Sequence, residues 1–166
     1  MAVVREVTEA MVHEAHDAWD AGRLKDAFRL FTRNAEAGSI HAMLNLGYFH
    51  DAGIGTRVDK AEALRWYKRA HRLGEMAAAA NIATVYQEMG NLRLMVAWYR
   101  RAIDMHDDDA CVDLAKCLLD GIGVRRSFEE AVRLLRRAAA SDRITPAGRE
   151  EAQAMLAACG LPGGVH

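Results

Sequence analysis

Small and apolar residues recur along this chain at spacings of three and four, the interval at which an α-helix returns to the same face. Within residues 39–74, two such stripes follow one another. Ala42, Leu46, Gly47 and His50 share one face, and Ala63, Trp66, Tyr67 and Ala70 share the next. Gly53-Ile54-Gly55 between them predicts a turn, because glycine accepts the left-handed backbone in which many helices end. Asp59 stands where it would cap the second helix, and Gly74 closes the unit. The pattern is helix, turn, helix.

The same pattern returns 68 residues later as Asp113-Leu114-Ala115, Gly121-Ile122-Gly123, Ala131, Leu134-Leu135 and Ala138. Between the two lies a third copy, Asn81-Ile82-Ala83, Gly90, Trp98-Tyr99 and Ala102, whose internal turn is four residues shorter. A degenerate first copy keeps the frame through Ala15, Ala18, Gly22, Ala27, Leu30, Phe31 and Gly38. A period of 34–36 residues is the mark of a helical solenoid. The predicted fold is therefore all-α, a right-handed α-solenoid of about four helix-turn-helix repeats with a C-terminal capping helix. One repeat domain spans residues 5–160, with units at about 5–38, 39–74, 75–106 and 107–142, a cap at 146–160 and a tail at 161–166. Short and long turns alternate. Pro146 breaks the pattern, and Glu150 to Cys159 reads as the last amphipathic stretch, covering the final apolar face.

These residues resemble the Sel-1-like repeat family, a branch of the tetratricopeptide superfamily. Its pattern of Ala-x-x-Asn-Leu-Gly, Gly-x-Gly, Asp and Ala-x-x-Trp-Tyr-x-x-Ala-x-x-x-Gly is met nearly in full from Ala42 to Gly74. The fourth unit departs from it at Ala115, Ser127 and Leu134-Leu135, and the first and third look like ordinary tetratricopeptide repeats. The resemblance implies adaptor work for other proteins, as in bacterial regulatory, virulence or immunity settings, and implies no reaction. Cysteine-rich secreted relatives linked to β-lactams pair one cysteine per helix, a ladder that Cys111, Cys117 and Cys159 do not make. Such repeats line a concave face with their first helices and a convex back with their second.

Projected on that arrangement, the concave face carries His13, His16, Trp19 and Asp20; His41, Asn45, Tyr48 and Asp51; Asn81, Thr84, Gln87 and Glu88; and Asp113, Lys116 and Asp120, with Glu9, Leu44, Asp109 and Val112 beside them. Only Lys116 is basic, too little for the carboxylate clamp of chaperone-binding relatives. The second helices carry Arg65, Lys68, Arg69, Arg72, Arg100, Arg101, Arg133, Arg136 and Arg137. A net charge of −1 thus hides two faces of opposite sign. The expected partner is another protein, docked through a basic or extended segment. Asn45 and Asn81 offer amides to an extended backbone, and Trp19 and Tyr48 offer flat contact area.

The remaining chemistry narrows the picture further. Bulk charge near neutrality disfavours nucleic acid and anionic lipid, and Trp66, Tyr67, Trp98 and Tyr99 are expected inward, leaving no stacking platform. No apolar stretch is long enough to span a bilayer, and Met1 to Met11, with Arg5, Glu6 and Glu9, lacks a signal-peptide core. Cys111 and Cys117 lie about 9 Å apart along one helix, too far for a disulfide, as in a reducing cytoplasm. Met43, Met76, Met89 and Met95 are expected to fill the core. Within His106-Asp107-Asp108-Asp109, Asp109 reads as a helix cap. No nucleophile has a base partner, so no catalytic residue, metal or cofactor is expected. The alternative is a small-ligand or divalent-metal-binding protein using the His13, His16 and His41 corner.

Overall fold

The computed structural model describes residues 12–160. Helix α1 occupies residues 12–20. It is followed by α2 (Leu24–Glu36), α3 (Ile40–Ala52), α4 (Lys60–Arg72), α5 (Ala77–Glu88), α6 (Leu92–Asp104), α7 (Asp109–Asp120), α8 (Phe128–Ala140) and α9 (Pro146–Ala158). No strand occurs among the described residues. The helices belong to two compact units divided between Ala78 and Ala79. In the first, α3 packs on α2 and α4; in the second, α7 packs on α6 and α8, and α9 closes against α8 and α7. This is the all-α repeat-solenoid class.

Five of the helices, α3, α4, α6, α8 and α9, start where a short polar side chain takes an orphan amide. Ser39, Asp59, Asn91, Ser127 and Thr145 accept from the amides of Ala42, Glu62, Leu94, Glu130 and Gly148, respectively. Pro146, where the repeat pattern breaks, is the first residue of α9, where proline's missing N–H costs nothing. The predicted inward stripes are buried, from Ala42, Leu46, Ala63, Trp66, Tyr67 and Ala70 in the first unit to Leu114, Ala115, Ala131, Leu135 and Ala138 in the second. Met43 and Met95 join the core, but Met76 and Met89 are 53% and 54% exposed, since they flank α5 instead of lying on its inner face.

The alternation of turn lengths has a packing reason. Gly55, in the long turn of the second repeat, lies against the carbonyl of Leu24, the first residue of α2, and a Cβ there would run into that oxygen. Gly123 stands in the same relation to Leu92, the first residue of α6. Both glycines also have positive φ, 67° and 69°. Each long Gly-x-Gly turn thus rests on the helix start created by the short turn before it, and the folded repeat is a pair of hairpins, not one.

The acidic run ahead of α7 departs from expectation. Asp109 does not cap the helix; it is its first residue, and its carboxylate accepts from the amide and hydroxyl of Thr145 at 3.1 and 2.6 Å. Asp107 instead takes the Ala110 amide, at 3.4 Å. Asp108, 6% exposed, accepts from Arg137 Nε at 2.9 Å and from the Ser141 hydroxyl at 2.5 Å. Three successive carboxylates therefore cap α7, hold α8 and hold the start of α9.

Candidate functional site

In the first unit the candidate residues lie on α1 and α3. His13, Asp20, His41 and Tyr48 are exposed, while His16, Trp19, Asn45 and Asp51 are half-buried. Aromatic rings bring part of this set together. Trp19 lies 6.0 Å from Tyr48 and 6.1 Å from His16, and meets Phe49 edge-on at 5.0 Å. His16 in turn meets Phe31 at 5.1 Å. Phe31 and Phe49 are fully buried and hold Trp19 from beneath, and Trp19 in turn meets Tyr48. Tyr48 remains 45% exposed, a large amphipathic surface with few rotatable bonds.

Other members of the set are committed internally. The Asn45 amide donates to the His41 carbonyl at 3.0 Å, so one of its two donors is used by its own helix. Asp51 accepts from Lys60 Nζ at 2.7 Å, with its side chain only 15% exposed. Leu44, expected beside them, packs against the core. Among the described residues no three His, Cys, Asp or Glu side chains are grouped to hold a metal. His13, His16 and His41 therefore do not form such a cluster, and the ring of His16 is used in aromatic packing.

In the second unit the set lies on α5 and α7. Thr84, Gln87, Glu88 and Asp120 are exposed, and Asn81, Asp113 and Lys116 half-buried. The Thr84 hydroxyl donates to the Ala80 carbonyl at 3.2 Å. Lys116 sits 3.5 Å from Asp113 and 2.8 Å from Glu151 of α9, so the C-terminal helix occupies this part of the face. Burial works against the Lys116 charge, but its bonds to Glu151 and Asp113 raise its pKa overall. Asp113 is raised by burial, against the opposing pull of Lys116. Val112 is 2% exposed and belongs to the core, not to the face, because α7 is buried on three sides by α6, α8 and α9. Glu9 lies outside the described residues.

The basic second helices are less bare than their sequence. Arg65 and Arg69 lie over the Trp66 ring at 4.8 and 5.4 Å, and Arg101 lies over Trp98 at 4.4 Å. Arg65 also pairs with Glu62, Arg100 with Glu130 and Arg137 with Asp108. Sequence reasoning missed these tryptophan lids; the signal was arginine one residue before, or three after, each inward tryptophan. Cys111, Cys117 and Cys159 are unpaired, and burial pushes the Cys111 thiol up to about 11. No helix among the described residues is long and apolar enough to cross a membrane.

Comparison with known proteins matches three segments, residues 40–75, 96–107 and 108–142, to the Sel1 repeat. Among solved structures, a Sel1 repeat protein from Oxalobacter formigenes superposes with a TM-score of 0.74 at 26% identity. The match covers 93% of this chain and 67% of that one. A protective antigen of uropathogenic Escherichia coli with an SLR fold matches at 19% identity and a TM-score of 0.46, over 94% of this chain and 47% of that one.

Proposed function

The chain belongs to the Sel1 repeat family, and from that premise we propose that it is a cytoplasmic, non-catalytic adaptor that binds a basic or extended segment of another protein on its first-helix faces. Sel1 repeats are typically protein-interaction modules, and their fold is generally a non-catalytic scaffold. The observation that carries the finer reading is the Trp19–Tyr48 pair, in which Trp19 rests on buried Phe31 and Phe49 and is followed in sequence by the exposed Asp20. Aromatic area on a rigid base loses little conformational entropy on binding, and nearby carboxylates steer a cationic segment. In the second unit, Gln87, Glu88 and Asp120 extend the same acidic and amide chemistry. A nucleic-acid partner is disfavoured because the tryptophans of the basic helices are buried under their own arginines. Unpaired cysteines fit a reducing compartment.

A photoreactive amino acid placed at position 48 would test this in extract of the source organism. A cross-linked peptide rich in lysine or arginine, whose synthetic copy binds the wild-type chain and loses at least tenfold affinity to the Asp20→Lys/Tyr48→Ala chain, is the expected result. Cross-links to acidic segments, or binding indifferent to that double substitution, would overturn it.

A further inference from the structure

The 68-residue register exposes a replacement that the fold does not require. In the first unit, Lys60 opens α4 and pairs with Asp51. The corresponding residues of the second unit are Phe128, which opens α8, and Leu119. Where the first unit has an ion pair the second has two apolar residues, yet Phe128 is not buried in compensation. It is 57% exposed, and with Glu129, Val132, Arg133 and Arg136 it lines a hollow of about 310 Å³. Phe128, Val132 and Arg136 follow one another at i+4, so the hollow runs along a single strip of α8.

The charge around that hollow is net positive, with Arg133 and Arg136 set against the single carboxylate of Glu129. Arg133 and Arg136 make no ion pair, hydrogen bond or ring contact among the described residues, unlike Arg65, Arg100, Arg101 and Arg137. Glu130, the nearest carboxylate along the chain besides Glu129, is taken by Arg100 at 3.0 Å. Arg125 and Arg126 precede the helix and are exposed, and the helix start itself carries partial positive charge. An exposed ring in a strip of unpaired arginines suits a ligand that is apolar at one point and anionic around it.

We propose that the Phe128 end of α8 is a second docking site, for an acidic peptide segment of another protein that inserts one large apolar side chain beside Phe128. The site lies on a second helix and prefers charge opposite to that expected on the first-helix faces, so the chain would join two dissimilar partners.

Selection of short random peptides on the immobilised full chain, with counter-selection on the Leu119→Asp/Phe128→Lys chain, tests it. That variant restores the residues that the first unit carries at the same positions, so it retains the fold. The expected yield is peptides combining an aromatic or branched aliphatic residue with aspartate or glutamate. They should lose at least tenfold affinity to Leu119→Asp/Phe128→Lys and to Arg133→Glu/Arg136→Glu, and none to Tyr48→Ala. Four outcomes would overturn the proposal: no Phe128-dependent enrichment, enrichment of basic peptides, Phe128-dependent self-association by light scattering, or Phe128-dependent binding to phosphatidylserine vesicles in the absence of peptide binding.

Discussion

Replacing Gly47 by alanine isolates the contact that sets how closely α3 and α4 approach. In an exposed helix interior this change is stabilising by about 1 kcal/mol, because alanine is the better helix former. Here the added Cβ would stand 2.6 Å from both Cδ1 and Cε1 of Tyr67. Carbon atoms pack comfortably at about 3.5–4.0 Å, so the overlap is about 1 Å. Tyr67 is 1% exposed and cannot swing away without moving its neighbours. Overpacking of this kind costs about 1–3 kcal/mol, which cancels or outweighs the propensity gain and leaves a net loss of about 0–2 kcal/mol. The fourth repeat carries the compensated pair, Ala115 with Leu135. The third carries Ala83 with Tyr99, both buried across its shorter turn, so the exclusion is particular to α3 against α4. Urea denaturation of Gly47→Ala, Tyr67→Leu and the double variant tests the reasoning. The double variant should be more stable than the sum of the two single losses by about 1 kcal/mol or more. A stabilised Gly47→Ala chain, or strict additivity, would refute it.

His106 holds φ at 67°, the backbone region that Gly38 and Gly74 occupy at the ends of the first two repeats. His106→Gly should therefore raise stability by about 1 kcal/mol in thermal or urea unfolding. Asp108→Ala leaves Arg137 and Ser141 without their shared acceptor and should cost about 2 kcal/mol, below the loss for a fully buried pair because the Arg137 side chain is 43% exposed; denaturation and faster proteolysis within α9 report it. Burial lowers the pKa of His50, against the upward pull of Glu62 and Asp59. The unfolded chain then protonates first as pH falls below about 6.5, so this histidine's contribution is complete above that value and declines below it. His50→Leu, the residue type at Leu118 of the fourth repeat, should flatten the decline between urea midpoints measured at pH 7.5 and 5.5. With its thiol pushed up to about 11, Cys111 is almost wholly protonated at pH 8 and should resist alkylation until the chain is unfolded, as judged by mass spectrometry.

The parts legible in the sequence are those decided within a few residues. Asp59 is a cap because the amide it accepts is three residues away, and the inward stripes obey the helical period whatever packs on them. The parts that misled depend on approach between distant segments. Asp109 looked like a cap, but its acceptor capacity is claimed by Thr145, 36 residues on. Asp51 and Lys116 looked like free groove charges, but Lys60 and Glu151 reach them from other helices. Met76 and Met89 have the composition of core residues and the position of helix ends. Of the candidate face, Trp19 and Tyr48 lie 6.0 Å apart, since each stands off the buried stripe of its own helix, Ala15 and Ala18 on α1 and Ala42, Leu46 and Phe49 on α3.

The pairing of turns bears on how such a chain can diversify. If Gly55 must meet the Leu24 carbonyl and Gly123 that of Leu92, a long-turn repeat cannot be moved next to another long-turn repeat without losing its seat. Insertion or loss of repeats is then tolerated in steps of two hairpins, and a duplication of 68 residues preserves every seat. Within each duplicate the residues off the seat are free to drift in sign and polarity. The difference between Lys60 and Asp51 in one unit and Phe128 and Leu119 in the other is of that kind, because these positions lie outside the buried stripes that hold the helices together. Binding chemistry is thereby written in the differences between duplicates, while the likenesses between them specify only the stack.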